Sequence, residues 1–302
     1  MKDNKLKKFI CMIITILGIS FVTSGCSTDE AKKINNENYS EDSIVNEVES
    51  IENAPFKVTY MNVGKADCIL ITIDDKSIMI DTGLNSTKKD VISELKERKI
   101  DELDYLILTH MDKDHIGGAD AVLENIKINN IVQADYVKDS KQYEQYVKSV
   151  KENNIEPVLL HGSINTVING AEINIYSAEK NTYSQSNDYS IIVGITYGNY
   201  SFLFAGDAEE ERLAEFIKMN DKRYDVVKIP HHGRINAFSE EFIKSINPSY
   251  SIITCSDEDR ADDEMLDMLE KYKVKVLLTS DGEVTIETDG SDISIYQKHD
   301  KR

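Results

Sequence analysis

From residue 56 onward, short apolar runs alternate with amphipathic stretches. Residues 56–61, 68–73 and 77–80 are rich in β-branched side chains and predict strands, with Asp74-Asp75 as a hairpin turn. Helical spacing over 88–98, an apolar run over 105–108 and helical spacing again over 119–125 and 142–153 follow. Strands are predicted over 158–160, 173–176, 190–197 and 201–204. The rest alternates regularly: helix 208–218, strand 225–229, helix 239–246, strand 250–254, helix 265–272 and strand 274–278. A strand pair, 284–288 and 293–296, closes the pattern. Hairpins first and alternation later predict an α/β fold with two sheets.

The first 54 residues break this pattern. Lys2, Lys5, Lys7 and Lys8 precede an apolar stretch of 14 residues, 9–22, short of the ~20 that a bilayer span needs. Thr23-Ser24-Gly25 then leads into Cys26. A positive start, a short apolar core and a small-residue exit predict a secretory signal over residues 1–25. Residues 27–54 hold eight acidic and two basic side chains and no apolar run. Residues 26–54 are therefore expected to be a solvated tether, with Ile44, Val48 and Ile51 spaced for a turn or two of exposed helix. Residues 55–302 are expected to form the folded domain.

Composition narrows the function classes. Across 302 residues, 35 Lys and Arg face 54 Asp and Glu, a formal charge of −19, and 40% of residues are hydrophobic. That is an ordinary globular composition, which excludes collagen, a low-complexity chain and a polytopic membrane protein. The acid excess, −16 on residues 55–302 alone, argues against bulk electrostatic binding of nucleic acid. None of Cys11, Cys26, Cys68 and Cys255 forms a C-x-x-C pair, which excludes thioredoxin-like and zinc-ribbon chemistry. Cys68 and Cys255 lie in apolar strands and are expected to be small buried hydrophobes; whether they pair stays open.

Four of the six histidines fall into two clusters, each just beyond an apolar strand. The first runs from Thr109 to Gly118 and presents His110, Asp112, Asp114 and His115, a mix of imidazole and carboxylate suited to Zn, Mn or Fe. His110 and Asp112 can serve one ion, Asp114 and His115 a second. Gly117-Gly118 is expected to let the backbone turn tightly into a helix. The second cluster is Lys228-Ile229-Pro230-His231-His232-Gly233-Arg234. Between them, the apolar run Ser201–Phe204 ends in Ala205-Gly206-Asp207, placing a carboxylate at a sheet edge.

In this order, His-x-Asp-x-Asp-His, Gly-Asp and His-His-Gly resemble the metallo-β-lactamase superfamily. More closely, they resemble the extracellular hydrolase domain of ComEC-type competence proteins. Residues 61–67, Ile80-Asp81-Thr82-Gly83 and Asn187-Asp188-Tyr189-Ser190 are similar to further motifs of that family. The resemblance implies a four-layer αββα metallo-β-lactamase sandwich with two divalent metal ions, Zn or Mn, at one edge. It implies that His110 and Asp112 bind one ion, that Asp114, His115 and His231 bind the other, and that Asp207 bridges them. His232 is the alternative to His231, or else a hydrogen-bond donor to the leaving oxygen. Asp188 or Asn187 fills a place where other members use a further His. Asp81 orients a ligand His, and Asp114 doubles as general base. Asp112 stands where many members have His, which shifts preference toward Mn.

Two departures concern the rim. Arg234 follows His-His-Gly where the family has Ser, and is expected to neutralise a bound phosphate; residues 257–264 are mostly acidic where the family has Asn-x-x-x-His-Pro. At the N-terminus, Thr23-Ser24-Gly25-Cys26 resembles the lipobox of bacterial lipoproteins, with Thr23 where Leu or Val is usual. It implies lipidation of Cys26 and anchorage to the outer face of the cytoplasmic membrane. The function implied is an exported, lipid-anchored hydrolase acting on a phosphoester, nucleic acid being one such substrate, with its acidity favouring a small or end-bound one. The alternatives are an extracellular DNase related to the competence machinery and a non-catalytic metal- or ligand-binding surface lipoprotein. A membrane-embedded transport component is disfavoured because no later apolar span exists.

Overall fold

The computed structural model describes residues 42–44, 51 and 53–298. The expected signal segment and Cys26 lie outside the described residues. A unit Glu41–Arg302 holds every described element. Its first half runs β1 (Asp42–Ile44), β2 (Phe56–Tyr60), β3 (Ile69–Ile73), β4 (Lys76–Ile80), α1 (Lys88–Glu97), β5 (Glu102–Leu103) and β6 (Tyr105–Leu108). Then come α2 (Lys113–Ile116), α3 (Ala119–Asn125), β7 (Lys127–Ile128), β8 (Ile131–Gln133), α4 (Lys141–Glu152) and β9 (Val158–Leu159). The second half runs β10 (Ser163–Ile168), β11 (Ala171–Tyr176), β12 (Ile192–Tyr197), β13 (Tyr200–Phe204), α5 (Glu210–Met219) and β14 (Val226–Lys228). It closes with α6 (Ser239–Ile246), β15 (Tyr250–Ile253), α7 (Asp263–Lys271), β16 (Lys275–Leu278), β17 (Glu283–Thr288) and β18 (Ile293–Lys298).

Two large sheets result. One has the order β1-β18-β17-β2-β3-β4-β6-β8-β9, the other β10-β11-β12-β13-β14-β15-β16. Each is antiparallel on one side and parallel on the other, the parallel part being β4-β6-β8-β9 in the first and β13-β14-β15-β16 in the second. The sheets pack face to face: Phe56 meets Phe202 with ring centroids 5.0 Å apart, and Tyr60 meets Phe204 at 6.0 Å. Because side chains alternate along a strand, Leu203 points the other way, into a second apolar cluster with Leu213, Phe216, Ile243 and Leu269 of α5, α6 and α7. Val91, Leu95 and Val122 of α1 and α3 pack on the first sheet. Helices thus cover both outer faces, giving four αββα layers. Burial on both faces explains why these strands read as near-continuous apolar runs.

Three details differ from the sequence reading. Asp42–Ile44, expected to be tether with a helical turn, is a strand paired with β18. β8 and β10 escaped prediction: β8 is three residues long, and β10 is an edge strand whose side chains alternate between exposed and half-buried. Gly117 and Gly118 have ordinary φ values of −61° and −99°, so the turn does not need glycine. A Cβ on Gly117 would instead sit 2.3 Å from the Lys113 carbonyl and 2.4 Å from the Asn85 nitrogen, and one on Gly118 2.4 Å from the Thr82 carbonyl. The pair is there for close approach to the loop after β4.

Candidate metal centre

Five strand ends meet at one edge of the sandwich. Asp81 follows β4, His110 follows β6, Asp207 follows β13, His231 and His232 follow β14, and Thr254 follows β15. All are C-terminal ends within the parallel parts of the sheets, where open α/β sheets hold their ligands. Asp81, His231 and His232 have φ of 58°, 47° and 53°, a left-handed conformation that costs a non-glycine residue on the order of 1 kcal/mol. Fixed contacts hold it at Asp81: Thr109 N donates to Oδ1 at 2.8 Å, and Thr109 Oγ1 and His115 Nδ1 donate to Oδ2 at 2.6 and 2.8 Å.

Asp114, His115, Asp207 and His232 bring one ligand atom each within 4.8 Å of one another. His115 Nε2 lies 3.2 Å from Asp207 Oδ2; His232 Nε2 lies 3.3 Å from the same oxygen and 3.6 Å from Asp114 Oδ2. The Nε2 atoms of His110, His115 and His232 are buried and make no hydrogen bond. An orphaned buried polar atom costs about 1–3 kcal/mol. Two of these atoms, on His115 and His232, lie beside two carboxylates and fit a divalent cation, since two imidazoles with two carboxylates are a donor set for Zn or Mn. The outer nitrogens are spoken for: His115 Nδ1 by Asp81, and His232 Nδ1 by the Thr254 carbonyl at 2.7 Å. Each bond fixes the tautomer that turns Nε2 toward the centre.

Beneath the centre lies a buried charge pair to which the sequence reading gave no role. Lys228 is fully buried and pairs with Asp67 Oδ2; its Nζ donates to the Gly206 carbonyl at 2.8 Å and lies 3.4 Å from Asp207 Oδ1. Asp207 therefore turns Oδ2 to the histidines while Oδ1 faces Lys228. Asp67 Oδ1 accepts from Thr254 Oγ1 at 2.6 Å, so the same residue that anchors His232 is anchored by Asp67. Asp67, Asp81 and His115 also converge, but those contacts engage both carboxylates, and the trio serves as scaffold. The available signal was a lysine closing an apolar strand, Val226–Lys228.

The charges reinforce one another. Burial lowers the His115 imidazole, but Asp207 and Asp81 outweigh it and hold His115 well above its ordinary pKa. The same contest, with Asp207 and Asp114 on the other side, raises His232. Burial and then the neighbouring His115 push His110 down to about 3, so its imidazole is neutral. Burial raises Asp207, yet His232, His115 and Lys228 together hold it well below the carboxylate range. Asp114 is likewise held low by His232 and His115 against its burial.

Other assigned residues have different partners. Asp112, expected as a ligand, pairs with Lys138 at 2.7 Å and accepts from Ser186 Oγ at 3.0 Å. His231, expected to complete the second site, stands at the rim with Nδ1 3.0 Å from Glu209 Oε1, and His232, its alternative, takes the inner position. With its Nδ1 on Thr254, His232 presents Nε2 to the centre. Asp188 accepts from the Glu209 and Arg212 backbone amides and so caps α5. Asn187 donates to Glu209. Arg234, expected at a bound phosphate, is held by Asp259 and, at 2.6 Å, by Asp262. Cys68 and Cys255 are both buried and free.

Comparison with known proteins adds independent support. Residues 61–256 match the family model of the metallo-β-lactamase superfamily. ComE operon protein 3 of Bacillus subtilis is 25% identical over 246 residues, 74% of this chain and 32% of that protein. Recombination protein 2 of Haemophilus influenzae is 25% identical over 204 residues, 66% of this chain and 24% of that protein. The chain thus spans a third or less of the curated relatives it matches. Among solved structures, YhfI from Bacillus subtilis superposes with a TM-score of 0.53 at 14% identity over 74% of this chain and 96% of that one. CmlA, a diiron β-hydroxylase from Streptomyces venezuelae, superposes with a TM-score of 0.51 at 12% identity, over 78% of this chain and 54% of that one.

Proposed function

This chain belongs to the metallo-β-lactamase superfamily, and on that premise we propose that it is a metal-dependent hydrolase of phosphoesters, exported and anchored by lipid on Cys26 at the outer face of the membrane. The observation that carries the reading is the convergence of two buried imidazole nitrogens, His115 Nε2 and His232 Nε2, on the carboxylates of Asp114 and Asp207. Asp114, His115, Asp207 and His232 would hold the cation. A divalent ion there supplies Lewis acidity and makes bound water a nucleophile at neutral pH.

The chain's own residues do the rest. Asp81, Thr254 and Lys228 fix His115, His232 and Asp207, so little reorganisation remains for the reaction. Asp114 has a side chain about a quarter exposed, against none for the two histidines, and so faces solvent. Held ionised, it accepts a hydrogen bond from the attacking water and orients it. A cleft of about 580 Å³ is lined by Ala134, Asp135, His161, Tyr189 and Ile191, and none of Asp114, His115, Asp207 and His232 forms part of its wall. The names of the relatives, competence and recombination proteins, favour a nucleic-acid phosphodiester; the acid excess favours attack at ends over tracking.

The test uses the full-length chain in detergent with Mn²⁺ or Zn²⁺, assayed on an aryl phosphodiester and on short DNA beside Asp207→Ala. The reading expects cleavage that chelation abolishes and that Asp207→Ala lowers at least a hundredfold. Bound metal with no cleavage of either substrate, or activity unchanged in Asp207→Ala, would overturn it.

A further inference from the structure

We propose that Lys138 takes the place of a second metal ion, so that this chain's centre holds one divalent cation and an ammonium group where two cations were expected. The proposal rests on reading Asp114, His115, Asp207 and His232 as a metal site. That group supplies four ligands and is complete by itself.

The neighbouring position is built differently. Its expected carboxylate, Asp112, has both oxygens engaged: Oδ1 lies 2.7 Å from Lys138 Nζ and accepts from Tyr136 OH at 3.4 Å, while Oδ2 accepts from Ser186 Oγ. Lys138 Nζ also donates to Ser186 Oγ at 2.9 Å. A metal ion bonded to Asp112 would meet the ammonium head-on, and the two cations would repel. A further protein ligand is missing as well, since Asp188 caps α5 and Asn187 turns to Glu209. Among the described residues, the buried His110 Nε2, which makes no hydrogen bond, is the donor left for that position.

The lysine is held in place. Tyr136, two residues earlier, stacks on Tyr189 with centroids 4.2 Å apart, and its hydroxyl accepts from Met111 N at 2.7 Å. This fixes the loop after β8 against the segment that carries Asp112. Lys138 and Asp112 are each about a quarter to a third exposed, so the pair is open to solvent. An ammonium carries three donors; two serve Asp112 and Ser186, and the third is available to an anionic oxygen of a phosphate.

Counting metal ions tests this without recourse to activity. The full-length chain is stripped with chelator and titrated with Mn²⁺, free ion being followed by its electron paramagnetic resonance signal. One equivalent is expected in the unmodified chain and in Lys138→Arg; Lys138→Met is expected to bind a second equivalent at least tenfold more tightly than the unmodified chain does. Two tight equivalents in the unmodified chain would overturn the proposal and leave the metal centre standing. So would a single equivalent in both the unmodified chain and Lys138→Met. No binding in the unmodified chain would overturn the metal centre itself.

Discussion

Lys228→Met separates the scaffold beneath the centre from the centre itself. Methionine keeps most of the stem volume and removes the charge. Lys228 is fully buried, as are its partners Asp67 and Asp207. Removing one member of a buried pair leaves an uncompensated charge and costs about 3–5 kcal/mol. The geometry agrees in scale: two unit charges 3.4 Å apart, as for Nζ and Asp207 Oδ1, attract by about 5 kcal/mol at an effective dielectric of 20. For a domain of this size the melting temperature moves by about 2–4 °C per kcal/mol, so a fall of roughly 6–20 °C is expected. The assay is thermal and urea unfolding in chelator, so that altered metal affinity does not enter. Asp67→Asn added to Lys228→Met removes the orphaned charge, and the double variant is expected to recover about 1 kcal/mol or more through their coupling. A stability within 1 kcal/mol of the unmodified chain for Lys228→Met would refute the reasoning.

Three further outcomes follow from the same geometry. Asp81→Asn removes the anion behind His115 Nδ1 and is expected to weaken metal binding about 10–100-fold, measured by competition with a chromogenic chelator. Gly117→Ala forces a Cβ against the Lys113 carbonyl and the Asn85 nitrogen and is expected to cost about 1–3 kcal/mol, read from urea midpoints. The folded-state pKa values of His115 and His232 lie above their ordinary value of 6.5, so their stabilising contribution is fully present below pH ~6.5 and is lost as pH rises through the folded values. Chelated protein should therefore melt progressively lower as pH rises above 6.5, while the stabilisation gained by adding metal grows in the same direction because fewer protons must be displaced; a pH-independent gain would contradict this.

Much of the fold was legible because its strands are buried on both faces and punctuated by polar turns. Runs such as 201–204 and 250–254 announce themselves by composition, and helices α5 to α7 by spacing. β8 and β10 did not, being respectively too short and too exposed to carry a pattern. For the site, sequence located the clusters and not the aim of each side chain. His231 and His232 are adjacent, and only the left-handed backbone at both decides which ring enters the centre. Asp112 has the ligand's spacing, yet its partner Lys138 arrives from a loop 26 positions away. Arg234 reads as a phosphate binder until Asp259 and Asp262 close on it. Asp188 likewise reads as a ligand until α5 places two backbone amides on its carboxylate. For Asp112, Arg234 and Asp188 the missing information is a long-range contact.

The central claim is that Asp114, His115, Asp207 and His232 hold a divalent cation. Anomalous X-ray scattering from a crystal of the Mn²⁺- or Zn²⁺-loaded chain, collected at the metal edge, tests it most directly. The account predicts a strong peak at about 2.0–2.3 Å from His115 Nε2, His232 Nε2, Asp207 Oδ2 and an Asp114 carboxylate oxygen. A peak at the His231–Glu209 pair instead, or no peak from a crystal grown with saturating metal, would contradict it.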